Sequence, residues 1–148
     1  MGTALERATE ILALVVTTAE RGGVPLPPSR YVQMGDPIVA CPVVIVSVSS
    51  IGPYLDLTGR LGMERCGPPQ TATLRATIAR DYVCQNEDGT DNPMAVMAAS
   101  VIMQADADVL WDCIYGIESY LGPSQVNIDS QISGGLVAVF GVFTIGIL

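Results

Sequence analysis

Side chains with chemistry to offer are unevenly spread along the 148 residues. Residues 81–118 hold Asp81, Glu87, Asp88, Asp91, Asp106, Asp108, Asp112 and Glu118 with no basic residue among them, while all seven arginines (Arg7, Arg21, Arg30, Arg60, Arg65, Arg75 and Arg80) lie in the first 80. That acidic segment alone equals the formal net charge of −8. Such a run of carboxylates is most simply a solvated face; it could also meet another subunit's arginines or line a channel. The chain has neither Lys nor His. This removes Ser-His-Asp and Cys-His catalysis, Schiff-base lysine, the P-loop lysine and imidazole metal ligation. At this charge a basic face for nucleic acid is not expected either.

The remaining candidates for chemistry are weak. NEDGTDN (86–92) has the look of a calcium loop, but counting back from Gly89 places Cys84 at the first ligand position, and no glutamate stands at the twelfth. Asp106 sits off the line of Asp108 and Asp112, so the three do not form an obvious Mg²⁺ set. Cys41, Cys66, Cys84 and Cys113 lack CxxC spacing and read as buried free thiols. GRLG (59–62) and SGG (133–135) match neither GxGxxG nor the Walker pattern and read as turns. No catalytic, cofactor or metal residues are assigned, and no enzyme is expected. The residues kept as candidate interface or lumen positions are Arg75, Arg80, Glu87, Asp88, Asp91, Asp108 and Asp112.

The elements that must position them follow from periodicity. One domain fits this length at 49% hydrophobic residues. Thr3 and Glu6 form a capping box for a helix over about 3–21, with Leu5, Ala8, Leu12, Val15 and Ala19 as its apolar stripe. RYVQM (30–34) is a short strand closed by Gly35-Asp36-Pro37, a turn that sends the chain back. PVVIVSVSS (42–50) is a β-branched strand, and residues 51–70 read as a long loop or arm. TATLRATIARDYV (71–83) alternates well, with Arg80 an exception on its apolar side.

Asn92 caps a second helix from Pro93 to about Tyr115 or Leu121. Its apolar face is Met94, Ala98, Val101, Ile102, Ala105, Val109, Cys113 and Ile117; Ser100, Gln104, Asp108 and Asp112 make a polar stripe. Trp111, Tyr115 and Tyr120 read as packing residues or interface anchors. VNIDSQI (126–132) and LVAVFGVFTIGIL (136–148) complete a mixed or antiparallel sheet carrying two helices, an α+β domain in the order α-β-β-β-α-β-β. The start is no secretory signal, and no stretch reaches the roughly 18 consecutive apolar residues of a spanning helix, so no membrane partner is expected.

RYVQMGDP (30–37), ACPVVIVSV (40–48), CGPPQTATLRATIARDYV (66–83), VLWDCI (109–114) and SGGLVAVFGVFTIGIL (133–148), in this order and spacing, resemble tail terminator proteins of long-tailed (siphovirus-type) actinobacterial bacteriophages. The absence of Lys and the very apolar finish depart from that family's pattern. The resemblance implies a hexameric ring in the virion neck, assembled in the host cytoplasm. Such a ring caps the tail tube, ends its polymerisation, meets the major tail tube protein and a head-side connector or stopper, and lets DNA pass without sequence-specific binding. The alternative is a head-side neck protein, whether head-completion, stopper or adaptor. A small enzyme or ligand-binding domain is a third reading, disfavoured by the missing His and Lys.

Overall fold

The structure is a computed structural model and describes residues 3–37, 39, 41–53, 70–81, 86–114, 125–127 and 136–147. It is α+β, with helix α1 (Ala4–Arg21), strands β1 (Arg30–Met34), β2 (Val43–Pro53) and β3 (Gln70–Asp81), helix α2 (Pro93–Ile114), and strands β4 (Gln125–Asn127) and β5 (Leu136–Ile147). The strands form one mixed sheet in the order β1-β2-β3-β5-β4.

Helix α1 begins where its cap predicts, the Glu6 amide donating to Thr3 Oγ1 at 3.2 Å. Its buried stripe is Ala4, Ala8, Ile11, Val15 and Ala19. The expected Leu5 is exposed and Leu12 only partly buried: with alanines at positions 4 and 8 facing inward, the helix can lie close to the sheet. Gly23, at φ 71°, takes up the left-handed turn that ends it.

Strands β1 and β2 pair in parallel, Arg30 beside Val44 and Met34 beside Val48. This corrects the expected reversal after Met34. Gly35, at φ 80°, does turn the chain, and its amide donates to Val48 O, but β2 begins at the end where β1 begins, Val44 beside Arg30. All other pairs are antiparallel. Strand β2 runs on to Pro53 and β3 starts at Gln70, so the ends of the expected 51–70 arm are strand; its middle, 54–69, lies outside the described residues. So do Cys66, Cys84, Tyr115, Ile117, Glu118, Tyr120 and residues 128–132.

The alternation of β3 sets the two faces of the sheet. Ala72, Leu74, Ala76 and Ile78 join Val44, Val46 and Val48 of β2 and Val139, Phe143 and Ile145 of β5 under the helices. Val43, Ile45 and Ala79 form a smaller cluster on the other face. Helix α1 lies over β1, β2 and β3, α2 lies over β5 and β4, and the helices touch. At Gly141 α2 packs close to the sheet: a Cβ there would stand 3.1 Å from the Phe143 ring and 3.8 Å from Leu110 Cβ.

Candidate functional site

Arg80 stands on the apolar side of β3 because its partner is there. Its Nε and Nη2 donate to the two carboxylate oxygens of Asp106 at 2.6 and 2.7 Å, and Nη2 also donates to Pro25 O at 2.6 Å. Asp106 is buried, and one guanidinium thus ties β3, α2 and the proline-rich link after α1 together. Burial pushes the Asp106 carboxyl above its usual value, and the Arg80 bonds and charge recover part of the shift. Arg80 is therefore engaged within the subunit. Two sequence signals pointed to this pair, a lone arginine on an apolar strand face and a lone aspartate off the polar stripe of α2; their meeting across 26 residues was not foreseen.

The buried face of α2 differs from the expected one. Asp106, Ala107, Val109, Leu110 and Cys113 are buried, whereas Met94, Met97 and Val101 are 83%, 67% and 62% exposed and Ile102 is also exposed. The cause is the length of the support. Cys113 Sγ sits 3.6 Å from Thr18 Oγ1, while Asp106 is linked through Arg80 to Pro25, so the helices run antiparallel and α1 has ended by the level of Asp106. The first half of α2 runs on past that level, roughly 15 Å of helix at 1.5 Å per residue. Trp111 is half exposed, which favours its reading as an anchor over core packing. Burial raises the Cys113 thiol pKa, with the Asp112 charge adding to it and the Thr18 bond opposing it.

The other candidates fall in three places. Glu87, Asp88 and Asp91 are exposed around a turn leading into α2, where the Thr90 amide and hydroxyl both donate to Asp88 Oδ1 and hold its carboxyl below the usual range. Asn92 Oδ1 then accepts from the Ala95 amide as the cap. Asp108 and Asp112 are exposed farther along, Asp108 accepting from Gln104 Nε2. Arg75 lies on the far face of the sheet, its guanidinium 3.7 Å from the centre of the Phe140 ring. The structure thus gathers the first three acids at one end of α2 and keeps Arg75 apart from all five.

A second surface escaped the sequence reading. Among the described residues strand β1 is an edge of the sheet, with Arg30 exposed at its start and Tyr31 and Met34 exposed on opposite faces of it. It lies on the flank opposite α2, which covers β5 and β4. Among the described residues no group of three or more Cys, Asp or Glu side chains is placed to hold a metal ion. By length and composition Pro93–Cys113 would reach across a bilayer, with a mean hydropathy of 1.3; Gln104, Asp106 and Asp108 interrupt the apolar run, which is why a consecutive count missed it. No protein-family model matches the chain, and no curated protein is similar to it.

Proposed function

We propose that this chain is a structural subunit of a ring at the neck of a long-tailed phage, where it caps the tail tube, ends tube growth and offers the surface for head joining. The observation that carries the reading is the first half of α2. Met94, Met97, Val101 and Ile102 are held out from the fold on a capped helix, and a subunit with such a contiguous apolar strip is built to be covered. Among the described residues no strand pairs with the outer side of β1, and such an edge is also one that isolated proteins guard against. The exposed acids around and along α2 fit a passage through which DNA moves without phosphate anchors, and the sequence resemblance supplies the hexameric ring number, the tube protein and the head-side connector as partners.

Electron microscopy of particles made without this chain tests the proposal. Overlong, headless tails are the expected result. Tails of normal length beside heads that leak DNA would assign the chain to the head side of the neck instead.

A further inference from the structure

We propose that the exposed first half of α2 is covered by residues 54–69 of a second copy of this chain. The inference deepens the ring reading above and rests on it. The strip to be covered is continuous. Met94, Met97 and Val101 follow one another at steps of three and four residues, so they lie on one side of the helix, and all three are more than half exposed. The segment has fixed anchors: β2 ends at Pro53, β3 starts at Gln70, and those two residues pair. Its sequence holds Tyr54, Leu55, Leu57, Leu61 and Met63, and its charges cancel, Asp56 and Glu64 against Arg60 and Arg65.

Strip and anchors stand at opposite ends of the subunit. Asp106 meets Arg80 near one end of β3, and Leu110 packs near Gly141, which pairs with Ala76, so α2 runs toward the Gln70 end as its numbering rises. Its first half points the other way, past Arg80. From Gln70 to Arg80 the strand covers about 33 Å, and Val101 and Met97 lie roughly 8–14 Å of helix beyond Asp106. A loop of 16 residues held at both ends can put its tip no more than about 30 Å from its anchors, so the segment falls short of the strip in its own subunit. A second copy can present its strip there. Such a pairing of two different surfaces is heterologous and closes into a ring or runs on as a filament. Residues 82–85 and 128–135, which adjoin β3 and β5 at the strip's own end, bring only two large apolar side chains each, Tyr82 and Val83 in one and Ile128 and Ile132 in the other. Two α2 strips facing each other would set Asp91 and Asp108 of one against the same acids of its twin, whereas the neutral segment meets no such repulsion.

The test uses the full chain and two variants, Met97→Glu on α2 and Leu57→Glu with Leu61→Glu in the segment, with mass measured by sedimentation and folding checked by circular dichroism. The wild type should assemble, and each variant alone should fall to the 15.5 kDa monomer. Mixing the two should restore one contact, because the segment variant keeps the strip and the α2 variant keeps the segment, and should give twice the monomer mass. That mixture guards against a misfolded variant, which could not pair. A Met97→Glu chain that assembles as the wild type does would overturn the docking and leave the ring reading standing. A segment variant that assembles while Met97→Glu does not would overturn the segment as the occupant and assign the strip to another surface of the second copy. A mixture of folded variants that stays monomeric would overturn the docking as well. A wild type that stays monomeric at all concentrations, or that binds zwitterionic vesicles without self-associating, would overturn the docking together with the ring.

Discussion

The two halves of α2 are opposite in use. From Asp106 to Cys113 the helix is held: Leu110 is buried near Gly141, Cys113 packs at Thr18, and Asp106 binds Arg80. From Met94 to Ile102 it carries more apolar side chains and leaves Met94, Val96, Met97, Val101 and Ile102 exposed. Apolar periodicity therefore identifies a helix and says little about which part of it is covered, since cover depends on how far the neighbouring elements extend. The difference also separates two kinds of consequence: damage in the second half should be read as lost stability, and damage in the first as lost association.

The largest expected effect comes from unpairing the buried charge. Asp106→Ala leaves Arg80 without its counter-ion, its side chain only 19% exposed, and should cost about 3 kcal/mol or more in denaturant unfolding. Leu110→Ala removes a fully buried side chain over the sheet and should cost about 2–3 kcal/mol by the same measurement. In the first half, Met97→Ser should change monomer stability by no more than about 0.5 kcal/mol. A large loss there would erase the contrast between the halves.

The pH dependence of the anchor sharpens the comparison. Burial raises the Asp106 carboxyl in the folded state above its ordinary 3.8, so the folded chain holds this proton to higher pH than the unfolded chain does. The contribution to stability is then full below that ordinary value, is lost as pH rises through the raised one, and is flat beyond. Unfolding curves of the wild type and Asp106→Asn should show the wild-type advantage shrinking over that window. An advantage that grows with pH would mean the Arg80 charge outweighs burial.

Local rules made part of this legible. Thr3 and Glu6 announced the start of α1, Asn92 and Pro93 the start of α2, and the alternation from Ala72 to Ile78 marked β3, because each signal is complete within a few residues. The parallel pairing of β1 and β2 was not legible, since the Gly35 turn looks the same whether or not a hairpin follows. Nor was the Arg80–Asp106 pair, which exists only once α2 is laid beside β3. Of the candidate residues, Glu87, Asp88, Asp91, Asp108 and Asp112 are exposed at or along α2, Arg80 is turned inward, and Arg75 stacks on Phe140 on the other face of the sheet.

Hydrogen exchange along α2, measured on the dissociated subunit and on the assembly, tests the central claim most directly. Amides 107–113 should be protected in both states, whereas amides 97–103 should exchange readily in the free subunit and gain strong protection on assembly. Equal protection of 97–103 in the two states would contradict the account, because the exposed half of α2 would then not be what joins the subunits.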